Sequence, residues 1–490
     1  MPVSALLAFL AAAMGPAETA ARAALARIAA DDAQVHAVLA VDPTALDQAR
    51  ALDRVRLVER GPLHGMPLLL KDNIEAKGPL PTTAGSLALA GNVTGRDAPL
   101  VARLRAAGAV ILGKANLSEW ANFRSTAAIS GWSAVGGQTR NPHVLDRNPC
   151  GSSSGSAAAV AAGLVPAAIG TETDGSITCP ASVNGVVGLK PTVGLVSRTH
   201  VVPISHSQDT PGPIARDVAT AARVLTAIAG RDPADPATAP ADARRGDYAA
   251  ALRPDALRGA RIGVVRLDHW SPAVAALFEQ ALAVLRAEGA ILVEVAPPAG
   301  RARIGPAESE VLVTEFRHDL DAYLATTPAS VTARSLAALI AFNRARADRE
   351  MPLFGQELFE KAAAARGLDD PAYRAARALS LRLAGAEGID AMLAAGGVAA
   401  LVAPTAAPAW KTDIVNGDRP AGAGLGKLAA VAGYPHLTVP MGAVRGLPVG
   451  LSFLGPAWSE ARLLGLGYAY EQAAGVRVPP AQLPSLEPVR

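Results

Sequence analysis

Short apolar runs separated by helical segments limit the folds open to this chain more than any other feature. The runs lie at 66–70, 109–112, 262–265, 291–295, 400–402 and 437–439. Each has the length of a buried strand, and the segments between them place apolar residues at helical spacing. Strands that alternate with helices predict an α/β fold.

Composition excludes several classes of protein. Half of the 490 residues are apolar and 18% are charged, which are globular proportions with ample material for a large core. The 46 basic and 43 acidic side chains leave a net charge of +3, and aromatic residues make up 4% of the chain. Binding of nucleic acid needs a basic surface or aromatic stacking platforms, so we expect no nucleic-acid partner.

Cysteine and histidine usage argues against a bound metal. The chain has two cysteines, Cys150 and Cys179, and eight histidines, without metal-ligand spacing. We therefore expect no cofactor and no metal. We also expect the two cysteines to be small buried thiols, and neither nucleophiles nor disulfide partners.

The first 60 residues predict a helical segment. Their apolar opening resembles a signal peptide, but no basic residue precedes it and residues 21–28 continue in helical rhythm. We predict two helices, the first capped by Ser4 and the second opened by Pro16 and Glu18. Because no later apolar run reaches the roughly 18 residues of a membrane span, we expect no membrane partner. We expect a cytoplasmic protein, although a leader removed before residue 1 leaves no trace in the sequence.

We predict a single domain over 1–490, because no segment reads as a linker between separate bodies. The Pro- and Asp-rich stretch 232–247 is interpreted as a surface excursion and as the best internal boundary. Residues 305–390 have a mostly helical pattern and predict an insertion. It lies between a core at about 61–230 and a C-terminal core segment at about 391–490. We expect a monomer or a homodimer.

Two Gly/Ser turns within residues 149–180 are the best candidates for a catalytic site. The stretch reads as a turn, a helix of small residues, a short strand and a second turn. A flexible linker is not followed by such an apolar helix, and no Lys follows the glycines as in a phosphate-binding loop. Backbone N–H groups in such turns can receive developing negative charge, which acyl transfer requires.

Hydrolysis of an amide needs a nucleophile, a base and an oxyanion hole. Serine is abundant, but no G-x-S-x-G elbow occurs between a strand and a helix, and most histidines lack a Gly-rich neighbour. Lys71 follows the apolar run 66–70, where burial is expected to lower its pKa toward neutrality. A neutral lysine can accept a serine proton. Taken singly, a serine in a Gly-rich turn or one lysine is more often structural, so the nucleophile stays open at this point.

Four blocks of sequence resemble the amidase signature family. They are GPLHGMPLLLKDNI at 61–74, GSSSGSAAAVAAG at 151–163, GTETDGSITCPASVNGVVGLKPTVGLVS at 170–197 and SQDTPGPIARDV at 207–218, in the family's order and at its spacings. The similarity returns in LVAPTAAPAW and VAGYPHLTVPMG near the C-terminus. The resemblance implies the fold of that family, a large mixed central β-sheet covered by α-helices on both faces, with a mostly helical insertion.

The resemblance also implies a catalytic triad of two serines and a lysine. Ser176 is in the position of the nucleophile, Ser152 in that of a bridging serine on a non-proline cis peptide bond, and Lys71 in that of the base. The family's oxyanion hole corresponds to the backbone N–H groups of Thr173, Asp174, Gly175 and Ser176. All three side chains occur together, each in its own motif, which favours the catalytic interpretation over a structural one.

Further residues are assigned supporting roles by their motifs. Ser153 and Ser154 are interpreted as supporting hydroxyls, although many family members carry glycine at the positions of Ser154 and Cys150. The segment NLSEWANFRSTAAISGW suggests a loop that lines the substrate channel, with Trp120, Asn122, Phe123 and Trp132 as the candidate residues.

Two other positions are expected to be structural. Asp209 and Arg216, in QDTPGPIAR, are interpreted as an ion pair that braces the site. His436 is expected in the core or in a pocket wall.

Within the family, the motifs are most similar to those of bacterial enzymes that remove the C-terminal amide of peptides. The similarity lies in NPCGSSSGS, PISHSQDT, LFGQEL and LPVGLSFLG. It implies a hydrolase that converts a peptide amide and water into a peptide acid and ammonia through an acyl-enzyme, without a cofactor.

Three alternatives stay open. One is an amidase for small aryl, aliphatic or cyclic amides. Another is the glutamine-hydrolysing subunit of a tRNA-dependent amidotransferase, which the near-neutral charge and the large insertion disfavour. The third is a non-catalytic protein that kept the fold, against which the intact set of Lys71, Ser152 and Ser176 argues.

Overall fold

The computed structural model describes residues 15–487 and contains the strands that the apolar runs predict. In chain order they are β1 (Val38–Val41), β2 (Pro67–Lys71), β3 (Val110–Ala115), β4 (Trp132–Ser133), β5 (Gly137–Gln138), β6 (Ala167–Glu172), β7 (Val187–Lys190), β8 (Thr210–Ala215), β9 (Arg261–Val265), β10 (Ile291–Val295), β11 (Ala400–Pro404), β12 (His436–Val444) and β13 (Leu447–Leu454). Every apolar run overlaps one of these strands, and the predicted α/β class is confirmed.

Helices fill most of the segments between the strands. They are α1 (Pro16–Val35), α2 (Ala45–Asp53), α3 (Pro99–Ala106), α4 (Ser154–Ala161), α5 (Thr178–Val183), α6 (Val218–Ile228), α7 (Ala241–Arg244), α8 (Pro272–Ala287), α9 (Ile304–Ala325), α10 (Leu336–Ala345), α11 (Ala347–Glu350), α12 (Glu357–Ala363), α13 (Pro371–Ala384), α14 (Ala391–Gly396), α15 (Gly426–Ala432) and α16 (Glu460–Ala474). Short 3-10 turns lie at Leu57–Glu59, Leu87–Leu89, Glu119–Asn122, Pro236–Thr238 and Ala299–Arg303, and a π-turn lies at Gly385–Asp390.

The N-terminal prediction is confirmed in part. Helix α1 begins at Pro16, whose fixed φ suits the first helical position. The helix predicted ahead of it, with Ser4 as its cap, lies outside the described residues. From residue 15 to residue 487, none of the helices combines the length and the hydropathy of a bilayer-spanning segment.

One mixed sheet of eleven strands organises the molecule, in the order β1-β3-β2-β6-β8-β7-β12-β13-β11-β9-β10. Strand β2 runs parallel to both β3 and β6, and β9 runs parallel to β10 and β11, whereas the other neighbours are antiparallel. The predicted large mixed sheet is therefore confirmed. Strands β4 and β5 form a separate hairpin.

Apolar cores lie on both faces of the sheet. Successive side chains of a strand point to opposite faces. Accordingly, Leu68 and Leu70 pack in one core with Leu104 of α3, whereas Leu69 packs in another with Ala24 of α1. The sheet is thus covered by helices on both faces, as the family resemblance implied.

The chain between β10 and β11 is helical, as predicted for residues 305–390. Helices α9 to α14 lie there, and strands resume at β11. Phe316 of α9 and Phe359 of α12 are fully buried in a core that also includes Trp120. The insertion therefore packs directly against the segment that follows β3.

The prediction of a surface excursion at 232–247 is wrong for its first residues. Asp232 and Asp235 are buried. Asp232 accepts a hydrogen bond from Ser197 at 2.6 Å, and Asp235 accepts one from Nε of Arg198 at 2.8 Å. The two carboxylates accept hydrogen bonds from the loop that contains Ser197 and Arg198. These bonds hold the start of the segment against the rest of the fold, although its composition is typical of turns.

The sheet core predicts a simple stability difference between two leucines. Leu437 is fully buried in β12, whereas Leu57 is 77% exposed. Leu437→Ala leaves a cavity and is expected to lower the free energy of unfolding by about 2–5 kcal/mol. Leu57→Ala should change it by no more than about 0.5 kcal/mol. Urea denaturation followed by circular dichroism measures both, and equal losses would contradict this placement of β12.

Candidate active site

Lys71 is the last residue of β2, and its side chain is fully buried. Because β2 and β6 are parallel, their carboxyl ends reach the same edge of the sheet. The Nζ atom lies 2.7 Å from Oγ of Ser152, 2.8 Å from Oγ1 of Thr171 and 3.2 Å from the carbonyl oxygen of Thr171. The expected burial of Lys71 at the end of a strand is confirmed.

Burial lowers the pKa of Lys71 from its usual 10.5 to about 7, against the opposing effect of the carboxylates of Asp209 and Glu172. Among the described residues, no carboxylate lies within ion-pair distance of its Nζ atom. Lys114 in the neighbouring strand β3 is equally buried, but it forms an ion pair of 3.1 Å with Asp72. Of these two adjacent buried lysines, only Lys114 therefore has a counter-ion.

The first Gly/Ser turn brings Ser152 to Lys71. The peptide bond between Gly151 and Ser152 is cis, as the family resemblance implied. The hydroxyl of Ser153 donates to the carbonyl of Thr171 at 3.1 Å and accepts from the N–H of Thr171 at 3.2 Å. The hydroxyl of Ser154 donates to the carbonyl of Cys150 at 2.6 Å. Both hydroxyls therefore fix the conformation of the turn.

The second Gly/Ser turn carries Ser176, of which 8% is exposed. It is linked to the first turn through the backbone, because the N–H of Ser153 donates to the carbonyl of Ser176 at 3.1 Å. Within residues 15–487 the Ser176 hydroxyl forms no hydrogen bond. Glu172, at the end of β6, accepts the N–H groups of Ile177 at 2.8 Å and Thr178 at 2.9 Å. This carboxylate holds the start of α5 and the turn before it.

The backbone of the second turn presents free donors. Gly175 has a φ of 82°, a conformation that suits glycine. The N–H groups of Asp174, Gly175 and Ser176 have no acceptor in the part of the chain that the structure describes.

A disulfide joins the two turns. Cys150 and Cys179 are bonded through their sulfurs across 29 residues of sequence, with their Cα atoms 6.0 Å apart. The prediction of two free buried thiols is therefore wrong. The sequence separation gave no sign that the two turns face each other.

A charged cluster reaches the second turn from the insertion. Glu308 of α9 is buried and accepts a hydrogen bond of 2.9 Å from Gln208, which also donates to the carbonyl of Thr173 at 3.1 Å. Lys427 forms ion pairs with both Glu308 and Asp174. Burial and the nearby Asp174 raise the pKa of Glu308. The cluster thus holds two consecutive residues of the turn, Thr173 and Asp174.

Asp209 braces the turn without the predicted partner. It accepts hydrogen bonds from Oγ1 of Thr173 at 2.5 Å and from the N–H groups of Ile204 at 2.8 Å and Ser205 at 2.9 Å. Burial raises the pKa of Asp209 to about 6. The expected pair with Arg216 is wrong, since these residues flank opposite ends of β8.

The segment NLSEWANFRSTAAISGW, residues 116–132, lies around the first Gly/Ser turn. The amide of Asn122 donates to Ser130 at 2.9 Å, and the ring of Phe123 packs 4.9 Å from that of Phe316. Trp132 is buried with its ring 5.2 Å from Phe354. A cavity of about 570 Å³ opens beside Thr171 and Thr173, and its lining includes none of Asn122, Phe123 and Trp132. His436 is fully buried, as predicted.

Comparison with known proteins identifies the family. The family model described as Amidase matches residues 19–464. The chain belongs to the amidase family. It is therefore a hydrolase acting on amide C–N bonds, and the resemblance drawn from its motifs is confirmed.

Three relatives of this amidase differ in their described roles. The crystal structure of native peptide amidase from Stenotrophomonas maltophilia is 55% identical, with 97% of each chain covered and a TM-score of 0.91. A protein described as a probable amidase of Arabidopsis thaliana is 43% identical over 458 residues, 91% of this chain and 84% of that protein. A glutamyl-tRNA(Gln) amidotransferase subunit of Roseiflexus castenholzii is 38% identical over 476 residues, 92% and 91% of the two chains.

Several residues at the candidate site were not predicted from the sequence. Thr171 and Glu172 stand inside the block at 170–197, and their position at the end of a predicted strand was the available signal. Glu308 and Lys427 are 119 residues apart in the chain and carry no motif that connects them.

The charged cluster predicts a kinetic effect for Glu308→Gln. Loss of the charge removes one of the two ion pairs of Lys427 and weakens the hold of the cluster on Thr173 and Asp174. Misplaced catalytic groups cost up to about 100-fold in rate. We expect kcat for amide hydrolysis to fall by about 10-fold or more, with a smaller change in KM. Glu310→Gln, on the same helix, is the matched control and should keep wild-type kinetics. Wild-type kcat in Glu308→Gln would contradict a role of the cluster in shaping the turn.

Proposed function

We propose that this amidase hydrolyses the C-terminal amide of peptides, giving a peptide acid and ammonia. The observation that carries the chemistry is the 2.7 Å contact between Nζ of the buried Lys71 and Oγ of Ser152. The substrate class is supported by the similarity to peptide amidase, which covers 97% of both chains and therefore includes the helical insertion.

The proposed direction of proton transfer follows from which groups around Nζ of Lys71 can donate a hydrogen bond and which can accept one. A neutral amine has two N–H donors and one lone pair, and the carbonyl of Thr171 can only accept. The lone pair of Lys71 is therefore left for one of two hydroxyls, Oγ of Ser152 at 2.7 Å or Oγ1 of Thr171 at 2.8 Å. We assign it to Ser152, which stands in the bridging position of the family motif. In the proposed reaction Ser152 donates its proton to Nζ and accepts the proton of Ser176. Ser152 then acts as the bridge between base and nucleophile.

The reaction proceeds in two stages. The Oγ atom of Ser176, losing its proton through Ser152 to Lys71, bonds to the carbonyl carbon of the amide. The C–N bond then breaks as the proton is returned to the leaving nitrogen, which departs as ammonia. Water, deprotonated along the same route, then bonds to the acyl carbon. The ester bond to Oγ of Ser176 breaks, Oγ takes the proton back, and the peptide acid leaves.

The free N–H groups of the second turn suit the charge of the intermediate. Hydrogen-bond donors aimed at a developing oxyanion are worth roughly 100-fold to 1,000-fold in rate. The donors in this proposal are the backbone N–H groups of Thr173, Asp174, Gly175 and Ser176. Their turn is held by Glu172, Asp209 and the Glu308–Lys427 cluster, so they need little rearrangement during the reaction.

The cavity beside Thr171 and Thr173 is the proposed site for the peptide part of the substrate. Its volume of about 570 Å³ falls within the usual range for small-molecule pockets. Val202, Ile204 and Leu368 in its wall offer apolar surface.

Glutamine hydrolysis is a second candidate, favoured by the 38% identity to the amidotransferase relative. The two candidates differ in the need for partners. Hydrolysis of a peptide amide by the isolated chain, without glutamine turnover, supports the first.

Ser176→Ala tests the nucleophile. The variant has no Oγ to form an acyl-enzyme, so we expect kcat for a short amidated peptide to fall by at least about 1,000-fold. Mass spectrometry distinguishes the peptide acid from the amide. Ser309→Ala, on α9, is the control and should retain wild-type turnover. Turnover by Ser176→Ala at the wild-type rate would refute the assignment.

The pKa of Lys71 predicts the pH profile. Below a pKa of about 7 the amine is protonated and cannot accept the serine proton, so kcat/KM should rise with pH through about 7. Initial rates from pH 5 to pH 9 at constant ionic strength give the profile, and circular dichroism checks that the fold persists. A rate that stays constant down to pH 5 would exclude Lys71 as the base.

A further inference from the structure

A cluster of metal-ligating side chains lies on the wall of the cavity. His206 comes from the loop before β8, and His318 and Asp319 are consecutive residues of α9. One nitrogen from each imidazole and one carboxylate oxygen lie within 4.8 Å of one another. Because 113 residues separate His206 from Asp319, the sequence shows no metal-ligand spacing.

The imidazole nitrogens of both histidines converge on one carboxylate oxygen of Asp319. Nδ1 of His206 lies 3.0 Å from Oδ1 of Asp319, and Nδ1 of His318 lies 2.9 Å from the same oxygen. Ligand atoms about 2.0–2.1 Å from a tetrahedral zinc ion stand about 3.3–3.4 Å apart. Both observed distances are shorter than these edges, so the rings move outward from Asp319 when a cation replaces the protons that they share with it.

The cluster has an outer layer of supporting groups. The N–H of His206 donates to Oδ2 of Asp319 at 2.8 Å, which fixes the loop on the helix. The other ring nitrogen of His206, Nε2, lies 3.5 Å from Oε1 of the buried Glu315. Glu315 is held by Tyr373 at 2.7 Å and by Ser205 at 2.5 Å. A carboxylate behind a metal-binding imidazole orients the ring and raises its basicity.

Charge and access also suit a cation. Asp319 and Glu315 contribute two carboxylates, and the nearby Arg198 is already paired with Asp235. The side chains of His206 and His318 are 43% and 59% exposed, so an ion can reach both rings from solvent.

We propose that His206, His318 and Asp319 bind one divalent transition-metal ion of the kind that imidazole prefers, with zinc as the representative. The same three residues line the cavity that reaches Thr171 and Thr173. A bound ion narrows that cavity and therefore inhibits hydrolysis. This inhibitory consequence, unlike the binding itself, rests on the proposed role of the cavity in holding substrate.

Calorimetry with zinc chloride tests the binding. We expect one zinc per metal-free wild-type chain, and His318→Gln should raise the Kd by about 10-fold to 100-fold. The His318 side chain is exposed, and among the described residues its ring forms a hydrogen bond only with Asp319. This substitution should therefore leave the fold unchanged. The control is His269→Gln, which removes another exposed histidine and should bind zinc as the wild type does. Absence of zinc binding by the wild type, or equal binding by His318→Gln, would overturn the site.

Kinetics with zinc separate the two parts of the proposal. Zinc should inhibit hydrolysis of an amidated peptide by the wild type, and His318→Gln should need at least about 10-fold more zinc for the same inhibition. Zinc that binds at the expected stoichiometry without inhibition would overturn the effect on the cavity. If the peptide is no substrate at all, the proposed function fails, while the calorimetric result still decides the metal site.

Discussion

The contact between Lys71 and Ser152 is the constraint around which the site is organised. A lysine without a counter-ion is stable in a dry interior chiefly as the neutral amine, because desolvation penalises its charged form. The sheet creates that interior by running β2 parallel to β6, so that the Lys71 side chain meets Thr171 at one edge. The Gly/Ser turn before α4 then completes the surroundings of Nζ with a hydroxyl.

The neighbouring charges distinguish Lys71 from the adjacent buried Lys114. Lys114 has Asp72 at 3.1 Å, which compensates its charge. Glu172 and Asp209 favour a charged Lys71, yet each is occupied elsewhere: Glu172 by N–H groups of the second turn, and Asp209 by Thr173. The same two carboxylates therefore hold the second Gly/Ser turn and act on the charge of Lys71, which couples the conformation of the turn to the electrostatics of the lysine.

The sequence predicted the parts of this arrangement that depend on local pattern. Apolar runs located the strands, and the position of Lys71 after one of them was enough to predict its burial. The motifs then indicated which serines to examine. The features that the sequence did not predict are contacts between segments that lie apart in the chain. They are the disulfide of Cys150 with Cys179, the link from Glu308 through Lys427 to the second turn, and the ion pair of Asp235 with Arg198. Each joins residues without a shared periodicity, and the tertiary fold alone brings them together.

Direct titration of Lys71 tests the account most sharply. Lysine is scarce in this chain, so NMR of protein labelled with ¹³C at the lysine Cε atoms gives few signals, and the signal missing from Lys71→Met identifies Lys71. The account predicts that this signal titrates near pH 7. A midpoint near the usual 10.5 would mean that Lys71 is charged at neutral pH, which would contradict its role as the base.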